Sequence, residues 1–107
     1  MSDVKVSVTF RHTEPTDALK RYAEEKIHRI GKYYSQSSLD ARVVLSVESK
    51  ERQSAEVELH AHGTMIHGKE ETENLYSAID RVMDNLKRQV KKQKAKTKFV
   101  RRRKPQA

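Results

Sequence analysis

The stretch RVVLSVESKERQSAEVELHAH, residues 42–62, decides the fold. Val43, Leu45 and Val47 alternate with Arg42, Val44, Ser46 and Glu48, and Ala55, Val57, Leu59 and Ala61 alternate with Glu56, Glu58, His60 and His62. A two-residue period sends successive side chains to opposite sides of an extended chain, so both runs read as strands with one apolar face. Lys50, Glu51, Arg52 and Gln53 between them suit a hairpin. A sheet built this way needs a cover for its apolar side, and the flanking sequence has to supply it.

On the C-terminal side, His62, Gly63 and Thr64 turn the chain into a fourth strand running from Met65 to Glu70. On the N-terminal side, Val4, Val6, Val8 and Phe10 alternate with Lys5, Ser7 and Thr9, which predicts a first strand ending near Arg11. Thr13, Pro15, Thr16 and Asp17 then carry helix-start chemistry, with Thr16 as the expected cap. Leu19, Tyr22, Ala23, Ile27, Ile30 and Tyr33 or Tyr34 recur at three and four residues, which predicts an amphipathic helix over 17–33. Gly31 weakens its last turn, and Ser35, Gln36, Ser37 and Ser38 form a loop. From Thr72 or Asn74 onward, Leu75, Ala78, Ile79, Val82, Met83, Leu86 and Val90 mark a second helix. Tyr22 and Tyr76 fall near the helix stripes and read as core residues with their hydroxyls at the edge. The order is β-α-β-β-β-α. The expected architecture is a single-domain α+β fold, double-stranded-RNA-binding-domain-like, with two helices on one face of a four-stranded sheet.

With 107 residues the chain has room for one core only. Charged residues make up 36% and apolar residues 35%, so that core is modest. No cysteine occurs, which excludes disulfides, thiol nucleophiles and cysteine-ligated metals. There is neither a signal peptide's apolar stretch nor a run long enough to span a membrane, so the expected location is the cytoplasm. The net charge of +8 is unevenly divided. Residues 1–86 hold 12 Lys/Arg against 15 Asp/Glu, whereas residues 87–107 hold 11 Lys/Arg and no acid. A block of that kind repels itself unless it meets a polyanion, and nucleic acid is the natural partner. Lys87, Lys91, Lys94 and Lys98 follow one another at steps of four, three and four, which puts them on one face of the helix, with Arg88 and Lys92 on an adjacent row. Residues 1–98 are expected to form the binding domain, and 99–107, FVRRRKPQA, a flexible basic tail.

Catalysis has little to work with. His60, His62 and His67 could be gathered as a metal site, and Glu56 with Glu58 as a carboxylate pair. Exposed residues on an open sheet face lack the cleft either role requires, and the solvated reading is preferred. No Walker loop, dinucleotide fingerprint, nucleophile elbow or His-Glu-x-x-His occurs. The sequence reads as a binding protein with no cofactor, no small-molecule substrate and no membrane partner.

The alternating first strand, Lys26-x-x-x-Ile30-x-Lys32-Tyr33-Tyr34, Ala55-x-Val57-x-Leu59-His60, Ile66-His67, Asn74-Leu75-Tyr76-Ser77-Ala78-Ile79-Asp80 and Leu86-Lys87-Arg88-Gln89-Val90-x-Lys92-x-Lys94 follow in order between about residues 3 and 98. Together they resemble the ribosome hibernation promoting factor and ribosome-associated inhibitor family. The resemblance implies binding to the small ribosomal subunit near the decoding centre, obstruction of messenger and transfer RNA sites, and silencing of idle ribosomes. A constitutive ribosomal protein is the rival reading. The expected contacts to ribosomal RNA are Lys87, Arg88, Lys91, Lys92, Lys94 and Lys98, with Lys20, Lys26, Arg29 and Lys32 in a second row and Arg101, Arg102, Arg103 and Lys104 extending from the tail. Long members of the family carry a second domain that pairs ribosomes. This chain is too short to hold one, so it resembles a short form or the N-terminal domain of a long form, and pairing would call on a separate dimerising factor.

Overall fold

The computed structural model describes residues 4–34, 39–61 and 64–103, and the side chains of 4–32, 39–60 and 65–92. Its elements are β1 (Val4–Arg11), α1 (Asp17–Tyr34), β2 (Leu39–Ser49), β3 (Arg52–Ala61), β4 (Thr64–Thr72) and α2 (Leu75–Arg103). This is the expected β-α-β-β-β-α order. The strands lie in sequence order, β1 parallel to β2 and the other neighbours antiparallel. Two parallel neighbours need a crossover, and α1 supplies it.

Both helix starts are fixed by side-chain oxygens. The Thr16 hydroxyl accepts from the Leu19 amide at 3.3 Å, as its position before the apolar stripe predicts. At α2 the Asn74 side-chain oxygen accepts from the amides of Tyr76 (2.7 Å) and Ser77 (3.4 Å), and Gln53 from β3 accepts from the Leu75 amide at 3.0 Å. Donors that a helix leaves free in its first turn are thereby paired.

The core lies between the sheet and the two helices. Ala23, Ile27 and Ile30 of α1, Ala78, Ile79, Val82, Leu86 and Val90 of α2, and Val43, Leu45, Val57, Leu59 and Ile66 of the sheet are all at most 2% exposed. Each large aliphatic side chain withdrawn this far stabilises the fold by about 1.5–3 kcal/mol before entropy is counted. Two glycines set how closely the layers approach. A Cβ on Gly31 would come within 2.9 Å of a Val4 methyl and 3.2 Å of Leu39. The residue that looks like a weak point of α1 is thus the place where the helix lies against β1 and β2, and α1 continues past it to Tyr34. Gly68 plays the same part under Val82 and Leu86 of α2, with Cβ approaches of 3.3 and 3.4 Å.

Among the described residues, no helix covers the other sheet face. The strand pairing lines up four cross-strand rungs on it: Lys5–Asp40–His60–Met65, Ser7–Arg42–Glu58–His67, Thr9–Val44–Glu56–Lys69 and Arg11–Ser46–Ser54–Glu71. His67 stands 2.7 Å from Glu56 and His60 3.8 Å from Glu58. β2, β3 and β4 are longer than the alternation read from the sequence: β2 begins at Leu39, with Leu39 and Ala41 continuing its buried face, β3 begins at Arg52, so that Arg52 and Gln53 belong to the ladder instead of the hairpin turn, and β4 runs from Thr64 to Thr72.

Candidate nucleic-acid interface

Two antiparallel steps from β2 to β4 restore the direction of β1, so the helices that return from β1 and β4 run parallel to one another. Their contacts advance in step, Tyr22 against Tyr76 and, one turn on, Lys26 against Asp80. The rings of Tyr22 and Tyr76 meet edge to face, with centroids 5.0 Å apart and planes at 73°. The Tyr22 hydroxyl donates to Asp80 at 2.5 Å. The Lys26 ammonium lies 3.7 Å from the same carboxylate and 5.3 Å above the Tyr22 ring. The hydrogen bond to Asp80 raises the Tyr22 pKa above its ordinary 10.0, with burial and the charge of Asp80 adding to it, while Arg29 pulls the other way. A phenol that donates to a carboxylate loses that bond on ionising, so the neutral form is favoured.

This clasp sits at the start of a row that turns cationic. Tyr76, Asp80, Lys87 and Lys91 follow one another at helical spacing along the α1 side of α2. Lys87, Arg88, Lys91 and Lys92 are all exposed, while their neighbours Leu86 and Val90 are fully buried. A helix whose apolar stripe is locked in the core fixes the backbone from which the adjacent charges project, so binding through them orders side chains without having to order the backbone. On α1, Lys20, Arg29 and Lys32 are exposed; Arg29, seven residues after Tyr22, borders the groove, whereas Lys20 falls on the opposite flank of the helix and Lys32 faces outward. Lys26 faces the same groove, but its charge is engaged by Asp80.

The helical backbone of α2 runs on through Arg103, 13 residues and about 20 Å past Val90 at 1.5 Å per residue. That extends the helix beyond residue 98, where the expected tail begins. Lys94, Lys98, Arg101, Arg102 and Arg103 lie on this stretch, with side chains outside the described residues; Lys104 lies outside them altogether.

Tyr76 departs from expectation. It is 41% exposed instead of in the core, because it stands on the flank of α2, where its ring meets that of Tyr22 edge to face. The clasp itself is absent from the reading of the sequence. Its signal is a pair of four-residue spacings, Tyr22 to Lys26 and Tyr76 to Asp80, beside the two apolar stripes. The opposite flank of α2 also carries polar contacts that the sequence reading did not anticipate: Gln89 donates to the His67 carbonyl at 2.7 Å and Asn85 to Glu70 at 2.9 Å. Among the described residues no group of three or more His, Cys, Asp or Glu is placed to hold a metal; His60 and His67 stand beside glutamates, and His62 lies outside those residues. Among the same residues, no helix is long and apolar enough to cross a membrane.

The family model described as "Sigma 54 modulation protein / S30EA ribosomal protein" matches residues 6–98. A ribosome hibernation promoting factor of Azotobacter vinelandii is 36% identical over 93 residues, which span 87% of this chain and 85% of that protein. The Escherichia coli K12 protein of the same name is 33% identical over 95 residues, covering 89% and 98%. Ribosome hibernation promotion factors of Deinococcus radiodurans and Lactococcus lactis are longer, and the chain spans about half their length. The crystal structure of the Thermus thermophilus Protein Y N-terminal domain is 35% identical, with a TM-score of 0.74 over 82% of this chain and 97% of that one.

Proposed function

The chain belongs to the Sigma 54 modulation protein / S30EA ribosomal protein family, and from that premise we propose that it is a ribosome hibernation factor whose basic α2 row grips small-subunit ribosomal RNA near the decoding centre. The family's factors are non-enzymatic, and no bond is made or broken in this reading. The observation that carries it is the exposed set Lys87, Arg88, Lys91 and Lys92, held in place by buried Leu86 and Val90 on a body that is otherwise slightly acidic.

Folded RNA presents phosphates on its surface, while its major groove is too deep and narrow for side chains to read. A cationic helix edge therefore binds by neutralising phosphates and releasing their counterions. Those contacts position the body without reading sequence, and the body then fills space that messenger and transfer RNA would occupy. Arg29 beside the groove and Lys32 on the outer face of α1 add contacts, and the basic end of α2 extends the grip. Reversible occupation of this kind keeps ribosomes intact while they are idle.

Sedimentation of small subunits with the protein across a salt series, paired with a translation assay, tests the proposal. Cosedimentation that weakens steeply with salt, accompanied by inhibition, is the expected result. Undiminished translation at saturating protein would refute it, and equal occupancy of ribosomes from growing and resting cells would point to a constitutive ribosomal protein.

A further inference from the structure

The sheet face away from the helices carries an open groove of about 560 Å³, and its walls are chemically divided. Lys5 of β1 and Arg42 of β2 stand on one diagonal, and Asp40 of β2 and Glu58 of β3 on the next, since Lys5 opposes Asp40 and Arg42 opposes Glu58 in the register. Met65 of β4 closes the far side beside His60; at 54% exposed, it is a large apolar side chain left open to solvent. Among the described residues Lys5, Arg42 and Asp40 form no ion pair within 4.0 Å, and Glu58 is near His60 instead of Arg42. The groove thus offers a cationic pole, an acceptor pole and an apolar platform in sequence from β1 to β4. With neighbouring strands about 4.8 Å apart, those poles span about 14 Å, and the volume falls within the range of small-molecule sites.

We propose that this groove holds one unpaired nucleotide of a single-stranded RNA, with its phosphate on Lys5 and Arg42, its base edge on Asp40 and Glu58, and its ring against Met65. The acceptor pole sets the preference. Carboxylates accept from an exocyclic amine, so cytosine, which donates at N4, suits them, whereas uracil places a carbonyl at the same ring position and is repelled. The site is on the opposite side of the sheet from the α2 row, so a bound protein can hold two RNA segments at once. It does not depend on ribosome binding.

The test uses the full chain labelled with 13C at the methionine methyls and titrated with tetracytidylate, tetrauridylate or inorganic phosphate. Met65 reports the groove, and Met83, 2% exposed in the core, serves as an internal control. Tetracytidylate is expected to shift Met65 saturably and leave Met83 still, with tetrauridylate about fivefold or more weaker. Lys5→Gln with Arg42→Gln should weaken the tetracytidylate response severalfold, and Asp40→Asn should erase the preference for cytosine; all three sites are exposed, and Met83 checks that the fold persists. A Met65 signal that does not move, equal responses to the two oligonucleotides, or phosphate alone reproducing the shift would each overturn the proposal. Because no ribosome is involved, failure here leaves the hibernation reading standing, and failure of that reading leaves this one to be judged by the titration.

Discussion

Replacing Lys87, Arg88, Lys91 and Lys92 together by glutamine asks how much of the binding comes from the part of the cationic row whose side chains the structure describes. All four side chains are exposed, and the buried neighbours Leu86 and Val90 are untouched. Glutamine matches lysine and arginine closely in helix propensity, so folding stability should move by no more than about 0.5 kcal/mol for each site. The formal charge falls from +8 to +4. Each phosphate contact contributes about 0.7–0.9 to the slope of log affinity against log salt, so losing four makes that slope shallower by about 3. Over a fourfold change, such as 50 to 200 mM, the parent should lose roughly 60-fold more affinity than the variant on this arithmetic. Equilibrium binding of a fluorescently labelled chain to small subunits at five or six salt concentrations reads the slope, and circular dichroism verifies the fold. A folded variant that keeps the parental slope would refute the reasoning, because the contacts would then lie elsewhere.

The Tyr22–Asp80 hydrogen bond makes a pH-dependent contribution with a definite sign. Because the folded-state pKa of Tyr22 lies above the unfolded value of 10.0, the stabilisation is fully present below pH 10 and is lost as pH rises through the folded value; ultraviolet titration should show Tyr22 ionising late, and Asp80→Asn should bring it earlier. Gly31→Ala gains about 1 kcal/mol of helix propensity but puts a methyl 2.9 Å from Val4, an overpacking that costs about 1–3 kcal/mol; urea denaturation should show a net loss of about 1 kcal/mol, and a gain would mean that α1 does not lie so close to β1. Asn74→Ala removes the acceptor for two amides at the start of α2 and should cost about 1 kcal/mol by the same measurement, whereas no change would show that Gln53 caps the helix alone.

The fold was legible in the sequence to the extent that a local period reports burial. Val4, Val6, Val8 and Phe10 alternate because one sheet face is covered, and the strand follows. Thr16 caps α1 because hydroxyl, acid and stripe stand in the right order. The α2 stripe is equally local, and its fading near the basic block was readable as the point where charges take over the helix surface. What did not show was what depends on residues far apart in the chain. Gly31 reads as a flaw until Val4 and Leu39 are seen against it. Tyr76 has helical spacing but sits one flank away from the core, and spacing alone does not distinguish the two. Lys26 reads as one more surface cation, yet its partner Asp80 lies 54 positions on in the chain, on the other helix. The open-face groove depends on strand register, which places Lys5, Asp40, His60 and Met65 in one rung; alternation predicts their face and leaves their neighbours undetermined.

Photo-crosslinking tests the central claim most directly. With p-benzoylphenylalanine in place of Arg88 or Lys91, irradiation of the complex with small subunits should join the protein to ribosomal RNA, while the same group in place of Glu51, in the β2–β3 turn, should give little RNA product. Crosslinks from positions 88 and 91 confined to ribosomal proteins, in a complex that still forms at full affinity, would contradict the account.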